Sequence, residues 1–204
     1  MASEYPATRF GLLRHAETVW NSEKRIQGHS DSPLTPSGRQ HAEQWGLQLG
    51  HYAWDRVLVS DLGRARETAG CVNISLKLPI HTDPGIREQN WGLWEGKKIH
   101  RLRDQALMGE QVAAGWSFCP PEGEDRESVW KRGHDAICRA ADRWPGNTIL
   151  IVTHEGMLKC LIYRLLGRQF LPSEPKVMKS ACLHFFRYDQ KGLSIEQINA
   201  LPLR

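Results

Sequence analysis

Long apolar runs are missing from this chain of 204 residues. The longest, Ile149 to Val152, is far shorter than the roughly 20 residues that cross a bilayer, so no membrane span or membrane partner is expected. The N-terminus, Met-Ala-Ser-Glu-Tyr-Pro, has no apolar h-region, and a cytoplasmic location is the expectation. Cysteine is sparse and odd in number: Cys71, Cys119, Cys138, Cys160 and Cys182 form no C-x-x-C pair, which argues against a disulfide framework and against a zinc knuckle. The net charge of +4 is spread along the chain with no basic run of five or more. That pattern suits small anions, and no nucleic-acid partner is expected. Several catalytic signatures are also missing. There is no G-x-S-x-G elbow, no P-loop and no G-x-G-x-x-G turn, and the residue that would complete H-E-x-x-H after His154-Glu155 is Leu158. No internal repeat or low-complexity tract is present.

With 40% apolar residues the chain can bury one sizeable core. Short apolar runs at Phe10 to Leu13, Val57 to Val59 and Thr148 to Thr153 read as buried strands. Between and after them lie apolar residues at helical spacing: Ala42, Trp45, Leu49 and Tyr52; Leu62, Ala65, Ala69 and Val72; Val129, Ile137, Ala140 and Trp144; Met157 to Leu165, ending at Gly167. Strand and helix in alternation predict a three-layer α/β/α fold with a mostly parallel sheet. The end of the chain breaks the rhythm. Cys182 to Tyr188 and Leu193 to Ile198, joined by Asp189-Gln190-Lys191-Gly192, read as a hairpin, so the sheet should be mixed with an antiparallel edge. Residues 90 to 124 fit poorly and are expected to form a small helical or loop cap inserted into a single domain spanning 1–204, over the active site.

In open α/β sheets ligands bind beyond the carboxyl ends of the strands. Arg14-His15-Ala16-Glu17-Thr18 follows the first strand, Ser60 to Arg66 the second, and His154-Glu155-Gly156 the third, so two histidines and several arginines meet at one edge. Arginine binds the oxygens of a phosphoryl group in pairs and keeps its charge. A neutral imidazole can attack phosphorus if its other nitrogen donates to a fixed acceptor, and a second histidine can stabilise the transferring oxygens. This chemistry calls for no metal and no cofactor.

Leu13 to Asn21, followed by Gln27-Gly28-His29-Ser30-Asp31-Ser32-Pro33-Leu34-Thr35-Pro36-Ser37-Gly38, resembles the opening signature of the histidine phosphatase superfamily in its phosphoglycerate mutase-like branch. Ser60 to Ala69, Arg87-Glu88 to Gly96, and Val152-Thr153-His154-Glu155-Gly156 are similar to the later motifs. The resemblance implies that His15 is the phosphorylated nucleophile, that His154 is the second histidine of the phosphate pocket, and that Arg14, Asn21 and Arg64 bind the phosphate. Glu88 matches the proton donor to the leaving oxygen. That role requires a protonated carboxyl, hence partial burial beside the phosphate charge, for which Trp91 and Trp94 are the candidate apolar cover. Arg66, Arg87 and His29 are expected to be structural or solvated.

Two departures from the family stand out. Ala16 replaces the glycine that usually follows the nucleophile, which is tolerable if φ is negative there. Glu155 sets a carboxylate near the expected anion, either pointing away or selecting a substrate with a cationic group. Gln27 to Thr35 and Trp94-Glu95-Gly96 are similar to the phosphatase members, and Arg87-Glu88-Gln89-Asn90-Trp91-Gly92 replaces the mutase signature. The expected activity is therefore a metal-independent phosphoric monoester hydrolase of the histidine acid type, acting on a small phosphorylated metabolite. The alternatives are a cofactor-dependent phosphoglycerate mutase and a non-catalytic phospholigand-binding protein. Phosphoserine, sugar phosphates, 3-phosphoglycerate and α-ribazole phosphate are candidate substrates by resemblance, and a homodimer is an allowed assembly because dimers are common among similar proteins.

Overall fold

In the computed structural model, which describes residues 6–103 and 106–203, six strands make one sheet. They are β1 (Thr8–Arg14), β2 (Arg56–Val59), β3 (Ile80–Thr82), β4 (Thr148–Thr153), β5 (Cys182–Asp189) and β6 (Gly192–Pro202). Their spatial order is β3-β2-β4-β1-β5-β6. β1, β2, β3 and β4 run parallel, whereas β5 lies antiparallel to β1 and forms a hairpin with β6. Seven helices join them: α1 (Val19–Ser22), α2 (Pro36–Leu49), α3 (Gly63–Leu76), α4 (Ile99–Arg103), α5 (Ala106–Ala113), α6 (Arg126–Arg143) and α7 (Glu155–Leu165). The mixed α/β architecture and the closing hairpin are those the sequence predicts.

The two-residue period of the strands divides the core. Phe10, Leu12, Leu58, Ile149 and Ile151 pack with Val129, Ile137, Leu158 and Leu161 of α6 and α7. Leu13, Val57, Val59, Leu150 and Val152 pack with Ala42, Trp45, Leu49, Ala65 and Val72 of α2 and α3 on the opposite face. Both faces being covered explains why these strands read as continuous apolar runs. Two element ends differ from the sequence expectation. Tyr52 lies beyond α2, where it stacks with Trp54 and Phe185 instead of extending the helix. β6 also continues past Ile198 to Pro202.

A third, smaller cluster forms away from the sheet. Ile26, Trp94, Leu102, Met108 and Phe118 are buried together, with Trp91, Ile99 and Val112 against them. It ties α4, α5 and the turns around them to the loop after α1. Among the described residues no helix is long and apolar enough to cross a membrane.

Candidate active site

β4 lies between β1 and β2, with Arg14 opposite Thr153 and Val59 opposite Val152, so the residues after these three strands emerge side by side. His15 N–H donates to Thr153 O at 2.8 Å and Ser60 N–H to Val152 O at 3.1 Å, which carries the ladder one residue past the strands. His15, Ser60 and His154 are thereby held at one edge. The ring centroids of His15 and His154 are 5.3 Å apart.

His15 is 5% exposed, and its hydrogen bonds fix its tautomer. Nδ1 lies 2.7 Å from Ala16 O, a group that can only accept, so Nδ1 carries the proton. Nε2 then presents its lone pair and accepts from Arg64 Nε at 3.2 Å. Burial, followed by the positive charges of Arg14 and Arg64, holds the His15 pKa well below that of an ordinary histidine. The ring is neutral at physiological pH. Ala16 is buried, donates its N–H to Thr68 Oγ1 at 3.0 Å, and is not among the residues of positive φ, which is why alanine is accepted there.

Wholly buried His154 is likewise held neutral, first by burial and then by Arg64, His15, Arg14 and Arg132. Its Nε2 lies 2.8 Å from Ser60 Oγ. Ser60 Oγ also accepts from Leu62 N–H, at 3.4 Å, which leaves the hydroxyl one lone pair and its own hydrogen, enough to pair with either tautomer of His154. The other ring nitrogen of His154, Nδ1, is buried without a hydrogen-bond partner among the described residues. Arg14 Nε is in the same condition, while its Nη1 donates to Glu155 Oε2 at 2.6 Å.

Arg64 opens α3 and is 1% exposed. A cation in the first turn of a helix opposes the helix dipole, but here a loop carboxylate offsets it. Leu62 at the N-cap has no side-chain acceptor, and Asp31 does the capping instead: it accepts from Gly63 N–H and, through Oδ1, from Arg64 N–H at 3.2 Å and Arg64 Nη1 at 3.0 Å. Gly28 O and Ser30 O take further guanidinium hydrogens at 2.7 and 2.9 Å. Glu95 shapes that loop by accepting from His29 and Ser30 N–H, at 2.7 and 2.9 Å. Burial opposes its charge, but the Ser30 hydroxyl and these N–H groups prevail, and its pKa is lowered. Gly28 sits at φ +58°, and a Cβ there would run into the Glu95 carboxylate.

Glu88 lies at the start of α7, where His154 provides no side-chain cap. Its carboxylate accepts from Gln89 N–H at 2.9 Å, Gly156 N–H at 3.1 Å and Met157 N–H at 3.2 Å, so the helix N-terminus fixes the acid in position. A side chain at Gly156 would collide with it. Asn21 Oδ1 is used by Thr18 in a capping box, leaving its amide N–H groups for a ligand. Arg14, His15, Asn21, Arg64 and Glu88 all line one cavity of about 370 Å³, together with residues of α4 and α5.

Several sequence expectations need adjusting. Trp91 lines the cavity, but Trp94 does not; it is 2% exposed and packs in the small cluster. Glu155 does not point away, since it pairs with Arg14 and, at 2.5 Å, with Lys159. Burial works against its charge, yet these two cations outweigh it and the pKa is lowered. Arg87 is structural, in an ion pair with Asp61, while His29 Nε2 meets Glu88 O at 2.9 Å. Ser60, Asp31, Glu95 and Arg126 were not singled out by sequence reasoning. A missing capping side chain at Leu62 was the one sequence signal that pointed to an outside acceptor.

A family model of the histidine phosphatase superfamily, branch 1, matches residues 10–201. The chain belongs to this superfamily. A probable phosphoglycerate mutase GpmB of Yersinia pestis (strain Pestoides F) is 35% identical over 158 residues, covering 76% of this chain and 74% of that protein. Among solved structures, YhfR of Bacillus stearothermophilus superposes with a TM-score of 0.86 at 33% identity, covering 95% of this chain and 98% of the other. A putative α-ribazole-5′-P phosphatase from Escherichia coli gives 0.79 at 28% identity, with 95% and 96% covered. Superfamily relatives thus carry both phosphatase and mutase names.

Proposed function

We propose that this histidine phosphatase superfamily member is a phosphomonoesterase that acts on a small metabolite through a phosphohistidine at His15. One observation carries the reading: among the described residues Arg14 Nε, on the wall of the cavity that His15 lines, and Nδ1 of His154, whose ring lies 5.3 Å from that of His15, are buried with no hydrogen-bond partner, and in the tautomer the mechanism uses both are donors. A buried donor left unsatisfied costs about 1–3 kcal/mol, and a phosphoryl group supplies oxygens to both. Of the four buried nitrogens without a partner among the described residues, Arg14 Nε alone belongs to a residue of the cavity wall; His154 lies behind that wall, its ring 5.3 Å from that of His15, whereas Trp45 and Arg164 belong to other parts of the fold.

In this mechanism Arg14, Arg64 and the amide of Asn21 bind the phosphoryl oxygens. His15 Nε2 attacks phosphorus as the ester P–O bond breaks, and Glu88 protonates the departing alkoxide. The His154 N–H stabilises negative charge on the equatorial oxygens. Water then attacks the phosphohistidine, Glu88 takes up its proton, and inorganic phosphate leaves. The described residues of 90–124 serve as a cap that selects the alcohol portion, and the residues named carry all proton movements without a metal.

The mutase name of the Yersinia relative favours a second reading, in which the phosphohistidine is returned to a phosphoglycerate. Phosphate release from an ester panel in EDTA, beside an enolase-coupled assay with added 2,3-bisphosphoglycerate, separates the two. Hydrolysis that vanishes in His15→Ala is expected. Phosphate release that survives this substitution rejects the mechanism, and mutase turnover far above phosphate release rejects the phosphatase reading.

A further inference from the structure

Arg126 is the first residue of α6 and lines the same cavity as His15. Its guanidinium carbon lies 4.2 Å from the ring centroid of Phe118 and 4.0 Å from that of Phe170. Nη1 donates to Gly115 O at 2.8 Å and weakly to Phe170 O at 3.5 Å. Two aromatic faces and a carbonyl thus fix the plane of the group. Burial lowers its pKa to about 10, and no carboxylate is among the groups that hold it up against that burial.

Nearby carboxylates among the described residues are committed elsewhere. Asp125 caps its own helix at Ser128. Glu124 is held by Arg132, and Glu127 pairs with Arg164. The other cations on the cavity wall already have acids of their own, Lys159 with Glu155 and Arg25 with Glu23. A cation in the first turn of a helix, desolvated and without a carboxylate partner, is electrostatically misplaced unless an anion arrives from the cavity. Arg14 and Arg64 already serve the phosphate end.

We propose that Arg126 is a specificity-determining residue that binds a carboxylate on the alcohol portion of the phosphomonoester. The inference rests on the phosphomonoesterase reading and extends it to a substrate class: a phosphate ester of a hydroxy acid. A single guanidinium edge matches the two oxygens of a carboxylate, whereas a second phosphate would leave an oxygen without a donor. Trp91, Ile99, Met108 and Val112 offer an apolar wall for the carbon skeleton between the two charged ends.

The test compares carboxyalkyl and carboxyphenyl phosphates of graded length with the carboxamide of each. At least one carboxylate ester should exceed its carboxamide in kcat/KM by about tenfold or more, the scale of a charge-assisted hydrogen-bonded pair. Arg126→Met should bring that ratio close to one, mainly through KM for the carboxylate, and Arg126→Lys should give an intermediate ratio. Equal turnover of every pair by the wild type, or a ratio that survives in both variants, overturns the proposal. If no ester releases phosphate, the phosphatase reading fails on its own. Calorimetric binding of the same pairs to His15→Ala, with and without Arg126→Met, then still decides the role of Arg126 by the same ratio.

Discussion

At the scale of single residues, charge is arranged so that two histidines stay neutral while their neighbours stay ionised. His15 can then offer Nε2 to phosphorus at physiological pH. Glutamine can keep the bonds from Gln89 and Met157 N–H through its carbonyl oxygen and gives up the one from Gly156 N–H, so Glu88→Gln removes the proton at the loss of one bond. Its kcat on an alkyl phosphate should fall by roughly 10²–10³, and much less on p-nitrophenyl phosphate, whose leaving group needs little protonation. Equal losses on the two esters would remove Glu88 from the acid role. Glu155 pairs with Arg14, so in the proposed mechanism the two anions, its carboxylate and phosphate, compete for one guanidinium. Glu155→Gln keeps a hydrogen-bond acceptor but removes the charge, and should lower the inhibition constant of inorganic phosphate about two- to tenfold; an unchanged or higher constant contradicts that competition. Arg14, His15, Arg64 and Glu88 on the cavity wall were legible in the sequence because they stand in recognisable motifs, where phosphoryl chemistry calls for His, Arg and Glu. Ser60, Asp31 and Arg126 were not, because their partners lie far along the chain and serine, aspartate and arginine are ordinary surface residues.

At the scale of elements, two helices begin without a capping side chain of their own and borrow a carboxylate from a distant loop, α3 from Asp31 and α7 from Glu88. Each borrowed cap also ties a loop to the site. Asp31→Ala should cost about 1–2 kcal/mol through the lost cap, a fall in Tm of roughly 2–8 °C for a chain of this length. It should also raise KM, since Arg64 loses a partner. A Tm unchanged in calorimetry would show that Asp31 contributes nothing as a cap. The buried parallel strands were readable as apolar runs because helices cover both their faces. β3 was not, because it is three residues long with both end residues exposed at the sheet edge. The sequence indicated a helical or loop cap at 90–124 without placing α4 and α5 in it, because these helices pack in a small cluster of their own, away from the periodic pattern imposed by the sheet.

At the scale of the whole molecule, buried histidines link stability to pH. Burial lowers the pKa values of His15 and His154 well below the ordinary 6.5, and that of His184 to about 4. The unfolded chain takes up protons as pH falls through about 6.5, while the folded chain does not, so stability is present above that pH and declines below it. Through His184 alone the decline can reach roughly 3 kcal/mol by about pH 4. Glu95 and Glu155, with lowered pKa values, add losses only at still lower pH. Thermal denaturation should therefore show Tm falling steadily from about pH 7 to about pH 5; a flat or rising Tm would mean that these rings take up protons in the folded state. In the proposed mechanism the same burial that keeps His15 neutral leaves its Nε2 lone pair for phosphorus. The most direct test is to mix the enzyme with a hydrolysed phosphate ester, quench in alkali within the first turnover, and map the bound phosphoryl group by mass spectrometry. Phosphorylation at His15, absent from His15→Ala, is the predicted result; steady phosphate release with no phosphoryl group on His15 at any quench time would contradict it.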